Sequence, residues 1–311
     1  MKTSKNERSV DSIRYTRKIS KTKLRNTFVA WMFMLPAMVV LLVFVFYPIV
    51  YSIPLAFTNY SVFAETKFTG LANFQRLFSD KDFYIALKNS LLFVIVVPIL
   101  QISSIALALL MNKKLRGTTL FRVLCYMPVV TSMVAVAIMW KFIFDSNGIL
   151  NTFLVNNGII SSPIRFLSSA KLALPTMMAI TIWQGLGYYM MIYLSALQSF
   201  PEDIIEAAVL DGAGGWKIFW KIRLPLLQPQ IWFCSMVSVI AALGVFDVVF
   251  TMTSGGPNKS TYVVNYYSYL QAFSKFDFGY SAAIGLVMAV ITTAFSIALE
   301  IYNRRAGDIY D

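Results

Sequence analysis

Two glycine–lysine stretches, GGPNKS (255–260) and GAGGWK (212–217), are the nearest this chain comes to a nucleotide-binding loop. Neither can do that chemistry. A phosphate loop needs glycine directly before its lysine so that backbone N–H groups can wrap the phosphates, and Asn258 stands there instead. In the second stretch Lys217 takes the place of the third glycine of the dinucleotide fingerprint. Histidine is absent, which removes the commonest metal ligand and the usual near-neutral base. Cys125 and Cys234 both lie in apolar runs and read as small buried residues, not as a disulfide framework. No catalytic residue, metal site or bound cofactor is expected. If nucleotide energy is used, another chain must bind the ATP.

What remains is polar chemistry inside apolar segments. In TIWQGLGYYMMIYLSAL (181–197), Gln184, Tyr188 and Ser195 fall at spacings of four and seven and share one helical face. Hydroxyl groups of a sugar suit an amide and a phenol, and its C–H surface suits an aromatic ring. Gln184 and Tyr188 are therefore candidates for a sugar path, with Trp183, Tyr189 and Asp247 as further candidates. The plainer reading is that these residues only bond or pack between helices. A buried amide without a partner costs about 1–3 kcal/mol, so Gln184 should face water, substrate or another helix rather than lipid. An ion-driven transporter would need ionisable groups deep in its bundle, and only Asp247 and Glu300 come near, both at span ends.

These side chains require apolar helices to carry them. The 311 residues are 58% apolar and only 14% charged, with a mean hydropathy of +0.65, against about 25% charged in soluble domains. Residues 26–64 contain no Asp, Glu, Lys or Arg. A hydrocarbon layer of about 30 Å takes about 20 apolar residues of helix, and six stretches supply them: 28–53, 89–112, 121–144, 172–197, 230–252 and 280–301. The expected fold is an all-α membrane protein with six transmembrane helices. The first span is too long for a signal-peptide core and is read as retained.

Basic residues set the orientation. With both termini on one side, that side holds 18 of the 27 Lys and Arg residues, which by the positive-inside bias makes it the cytoplasm. The net charge of +12 does not point to nucleic acid. Nine of the basic residues precede residue 26, beside a span, where anionic lipid headgroups explain them. The reading divides the chain into a basic cytoplasmic arm (1–25), a first transmembrane helix with the start of an outer loop (26–66), a core (67–304) and a cytoplasmic tail (305–311). On the outer side, 68–90 should form interfacial helices, while the regions near 145–171 and 253–279 read as turn-rich loops. No internal repeat is evident.

One cytoplasmic segment stands out, EAAVLDGAGGWKIFWKIRLP (206–225). Ser199, three residues before Glu202, has the spacing of a capping box. Helix formers then run to Leu210, glycines 212, 214 and 215 break the helix, and a second short helix with Trp216, Phe219 and Trp220 should stop at Pro225. Composition alone fits an amphipathic loop resting on headgroups. The spacing is more specific: Glu206-Ala207-Ala208, Asp211-Gly212, then Ile222 and Leu224-Pro225.

This spacing resembles, at every position, the EAA loop of permease subunits of ABC importers, and it precedes the penultimate span as there. GLANF (70–74), ALKNS (86–90), LQSFPEDIIEAAVLDGA (197–213), FDVVFTMTSGGP (246–257) and FGYSAA (278–283) extend the likeness over roughly residues 30–300. They are similar to the carbohydrate-uptake branch, of the maltose and glycerol-phosphate first-subunit type. Small departures are Phe200 for Ile and Ser90 for Thr. The resemblance implies a multi-pass permease of a bacterial cytoplasmic membrane, paired with a second homologous permease. Two ATPase subunits would bind the loop at 199–226, and an extracytoplasmic binding protein would deliver a di- or oligosaccharide. A polyol, sugar-acid oligomer or glycerol phosphate is the alternative solute. In that setting Ala207 and Ala208 allow close backbone approach, and Glu206 can pair with a partner cation.

Overall fold

The computed structural model describes residues 21–63, 65–113 and 117–307. The arm up to residue 20, Lys114, Arg116 and the tail beyond residue 307 lie outside them. All regular structure among the described residues is helical, with two isolated bridges, Thr58 to Phe68 and Ser61 to Asp277. The chain divides into two units, 1–52 and 53–311.

The first unit is a helix, α1 (Lys21–Leu41), which passes through a π-helical turn (Leu42–Phe46) into α2 (Tyr47–Leu55). Pro48 explains the π-turn. Proline carries no N–H and its ring strikes the carbonyl four residues back, so one wider turn before it lets the helix continue. Tyr47 N–H accordingly reaches Leu42 O, five residues back. Exposed Phe33, Phe44 and Tyr47 ring this helix with apolar surface, suiting it to hydrocarbon.

In the second unit α3 (Ala72–Ser79), α4 (Lys81–Phe93) and α5 (Val96–Met111) follow a loop. Then come α6 (Thr118–Val130), α7 (Met133–Ile143), α8 (Ile149–Asn156) and the 27-residue α9 (Ala173–Ser199). Among the described residues four runs are long and apolar enough to cross a membrane: 27–55, 81–111, 228–252 and 278–303. The bent pair α6–α7 makes a fifth if counted as one span. Helix α9 has the length but not the apolarity, because Gln184, Tyr188, Tyr189 and Ser195 interrupt it.

The core forms where α5 packs along α9. Small residues allow the close approach expected between membrane helices. A side chain on Gly187 would collide with the Cys125 carbonyl of α6, and Ser104 Oγ donates to Leu186 O at 3.2 Å. At the centre Tyr193 donates to Gln101 Oε1 (2.6 Å), and Gln101 Nε2 donates to Ser238 Oγ (2.9 Å). These buried bonds join α5 and α9 to α13 (Gln228–Leu243), each worth about 0.6–2 kcal/mol in such surroundings.

The predicted third span is not one straight helix. α6 and α7 meet at 100° across Thr131 and Ser132, where Pro128 has already weakened the hydrogen-bond ladder. The two regions read from the sequence as turn-rich loops also contain helices. α8 occupies the first, because Asn151 Nδ2 closes the loop onto the Asp145 and Ile164 carbonyls.

The end of the bundle that carries 56–90 and 253–281 is tied together by side chains far apart in sequence. Asp80 caps α4 through the N–H groups of Asp82 and Phe83 and accepts from Tyr267 (2.5 Å) and Tyr280 (2.6 Å). Arg76 pairs with Asp277 at 2.7 Å and lies over the Tyr280 ring. Asn89 Nδ2 donates to the Ser260 and Tyr262 carbonyls, and Ser90 Oγ accepts from Val264 N–H. Burial alone would raise the Asp80 pKa, but the two phenols and two backbone N–H groups outweigh it and hold the carboxyl below its ordinary range.

A depressed carboxylate pKa stabilises the fold above the unfolded value, about 3.9, and that contribution is lost as pH falls through the lowered folded value. Asp80→Ala strands two phenols and removes a cap. It should cost about 2–4 kcal/mol and flatten the acid limb of the melting-temperature profile. An unchanged melting temperature at neutral pH would contradict the hub.

Candidate functional site

The segment after α9 is built by backbone chemistry. α10 (Glu202–Leu210) ends at Gly212, whose φ of +76° only glycine adopts freely. Gly212 N–H donates to Val209 O at 3.0 Å and Ala213 N–H to Ala208 O at 2.9 Å, the paired bonds of a Schellman stop. α11 (Gly215–Ile218) then begins, a π-turn (Phe219–Arg223) follows, and α12 (Leu224–Leu226) leads into α13 (Gln228–Leu243).

Ser199 does not cap α10; its hydroxyl donates to Ala196 O at the end of α9, and Pro201 occupies the cap position without a side-chain bond. Nor does Pro225 stop the second helix. The π-turn ahead of it, with Leu224 N–H donating to Phe219 O, absorbs the proline as the turn before Pro48 does.

The outcome is a protruding knob. Glu206, Ala207, Asp211 and Gly212 are exposed, Ala208 is half-buried, and Ile222, Leu224 and Pro225 are half-buried where the knob joins the bundle. Leu210 is 88% and Trp216 76% exposed, with Val209 and Trp220 also open. Trp216, Phe219 and Trp220 pack ring to ring, the centroids 5.2–6.2 Å apart. Ile218 and Leu227 anchor the far side in the core.

The polar residues of α9 are divided by the structure. Gln184 Nε2 donates to Thr131 O at 3.3 Å, serving the carbonyl freed at the α6–α7 bend. Trp183 packs edge-on against Trp140, and Tyr189 is buried beneath Tyr188. Tyr188 and Ser195 line one open cavity of about 520 Å³, with Tyr126 and Gln230. An adjoining cavity of about 500 Å³ runs along α6 from Arg122 to Thr131. Asp247 is exposed, in the first turn of α14 (Asp247–Met252), away from this cavity's lining. Sequence reading missed Tyr126 and Gln230, which sit on other helices and share no spacing with α9. It missed Asp80 and Gln101 for the same reason. α15 (Val264–Tyr269) and α16 (Phe278–Gly307) complete the unit.

Helices fit to cross a bilayer, an open cavity with Tyr126, Tyr188, Ser195 and Gln230 in its lining and an apolar knob at a glycine stop describe a membrane-embedded chain. The sequence profile of the binding-protein-dependent transport system inner membrane component family matches residues 102–308, and the chain belongs to that family. It is 36% identical to the lactose transport system permease protein LacF of Rhizobium radiobacter over 281 residues, 88% of this chain and 93% of that one. It is 30% identical to the multiple sugar-binding transport system permease protein MsmF of Streptococcus mutans, over 88% and 95% of the two chains. A chain in the crystal structure of a bacterial alginate ABC transporter, in complex with alginate pentasaccharide-bound periplasmic protein, superposes with a TM-score of 0.81 at 23% identity. The superposition covers 93% of this chain and 98% of that one, so the fold is shared.

Proposed function

We propose that this chain is the permease subunit of a binding-protein-dependent ABC importer that carries a di- or oligosaccharide across a bacterial cytoplasmic membrane. The observation that carries the reading is the exposed knob: the EAA spacing falls on α10 and its glycine stop, with apolar residues open around it. Separate ATPase subunits grip that knob, a second homologous permease completes the cleft, and an extracytoplasmic binding protein supplies the sugar. The lactose and multiple-sugar names of the relatives support the solute class. Six spans follow if α6–α7 and α9 each count as one, with both termini and the knob in the cytoplasm. A rigid knob continuous with α13 can pass ATPase closure to the bundle as a rigid-body movement.

Uptake of labelled sugar by cells expressing this chain with its transporter partners tests the reading. ATP-independent uptake driven by an ion gradient would overturn it. Topology is tested in a background lacking Cys125: a cysteine at Lys259 should react with impermeant outside reagent, and one at Asp211 should not. Labelling of Asp211 in intact cells would remove the coupling role.

Tyr188→Ala opens the cavity without touching the Gln101 network, and should lower sugar uptake several-fold while leaving basal ATPase activity unchanged. Unaltered uptake kinetics would move the path away from α9. Gln184→Leu should act differently. It strips the bond at the α6–α7 bend, so a loss of thermal stability should accompany any loss of uptake.

A further inference from the structure

The knob has two arms of opposite charge. The first, α10 with its glycine stop, exposes Asp203, Glu206 and Asp211 and contains no Lys or Arg. The second, residues 215–223, carries Lys217, Lys221 and Arg223 and no Asp or Glu. Side chains of the second arm pair at a spacing of four. Ile218 is buried and Ile222 half-buried on the side of the bundle, Trp216 and Trp220 are open on the face opposite, and Lys217 and Lys221 are exposed beside the tryptophans. Hydrogen bonds carry this arm into α13, since Leu227 N–H donates to Arg223 O and Ile231 N–H to Leu227 O, both at 2.9 Å. From Leu224 to Leu243 no Asp, Glu, Lys or Arg occurs, about 30 Å of helix, which is the depth of the hydrocarbon layer. Trp220 stands one turn, about 6 Å, before that stretch, and the Trp216 ring meets it edge-on at 5.7 Å.

We propose that the second arm is an anchor on anionic phospholipid, with Trp220 at headgroup level, Trp216 stacked on its outer side, and Lys217 and Lys221 against the phosphates. An indole suits that depth because its ring is apolar and its N–H meets water or a headgroup oxygen. Direction and charge favour lipid over the ATPase as the occupant. The tryptophan face points away from buried Ile218, hence sideways from the bundle, where lipid lies. A protein seated on both arms would have to be basic against α10 and acidic against the lysines. An anionic surface attracts only the second arm, and the acids of α10 hold the first away from it. The knob is thereby divided, with α10 left for the ATPase. The inference rests on the membrane placement proposed above and not on the coupling role.

The test uses the assembled transporter complex in vesicles of equal parts phosphatidylcholine and phosphatidylglycerol, with a benzophenone side chain in place of Trp220 or, in a separate sample, of Leu210. Illumination at position 220 should give phospholipid adducts, phosphatidylglycerol exceeding phosphatidylcholine about fivefold, equivalent to about 1 kcal/mol. Lys217→Glu with Lys221→Glu should abolish that preference. Adducts to an ATPase or to the other permease at position 220, or equal capture of the two lipids by the unreversed chain, overturn the proposal. If the photoreactive variant does not assemble, Trp216→Phe with Trp220→Phe replaces it. Phosphatidylcholine brominated near its headgroup end should then quench less tryptophan emission in the variant complex than in the wild type, and an undiminished quenched intensity refutes the anchor. Position 210 keeps the two readings apart: absence of ATPase adducts there would remove the coupling role while lipid capture at position 220 stood.

Discussion

Gly212→Pro should abolish sugar uptake and sugar-stimulated ATP hydrolysis while the protein still inserts and assembles. Proline fixes φ near −65°, and Gly212 sits at +76° with its N–H bonded to Val209 O. The substitution therefore breaks both bonds of the helix stop and redirects the chain between α10 and α11. No heavy atom lies within 4 Å of where a Cβ on Gly212 would sit, so the loss comes from the proline ring's fixed φ and missing N–H and not from a side chain meeting a neighbouring element. Gly212→Asn is the control. Asparagine tolerates the left-handed region at modest cost, about 1 kcal/mol, and should keep most of the transport rate. Under the proposed coupling, Glu206→Lys should also uncouple, by reversing the charge on an exposed face of α10. Wild-type uptake in the proline variant would mean that the knob does not transmit ATPase movement.

Gly187→Val should prevent accumulation of folded protein. A Cβ at this position would overlap the Cys125 carbonyl oxygen and come within 3.0 Å of Tyr126 Cα, both backbone atoms of α6 that no rotamer change can move. Overpacking of this kind costs about 3 kcal/mol or more once a helix must shift. Gly185→Ala, two residues earlier, meets the flexible tip of Leu100 at 3.4 Å and the Tyr189 ring at an ordinary 3.9 Å, and should be nearly silent. Melting curves of the detergent-solubilised protein distinguish the two. Equal stability would mean that α6 and α9 do not cross at Gly187.

The sequence made the apolar spans legible because run length is a one-dimensional property. Residues 26–64 carry no charge, and a run of that kind has few alternatives. It also exposed the knob, since glycines 212, 214 and 215 interrupt helix formers within a few residues. The bend between α6 and α7 was not legible. Pro128 lies inside several plausible helices, and the partner that meets the carbonyl freed at the bend, Gln184, comes 53 residues after Thr131. Pro225 misled for a related reason: a proline reads as a stop unless the π-turn before it is known. The family-like stretches were visible as letters without a mechanism. Their mechanism is the clamp, in which Asn89 and Ser90 of ALKNS hold the loop after GGP and Tyr280 of FGYSAA reaches Asp80.

That clamp sets a timetable for biogenesis. Asp80 emerges early, yet the phenols that receive it follow 187 and 200 residues later, and the partner of Arg76 follows by 201. At about 5–20 residues per second, ribosomal synthesis leaves the carboxylate waiting roughly 10–40 s. During that interval α4 has its cap but not its tether, and the early helices stand in the bilayer as an open set. Only when the start of α16 leaves the translocation machinery can the ring of side chains close. A nascent chain cut before Tyr280 should accordingly persist as inserted but unlocked helices, a ready target for membrane quality-control proteases.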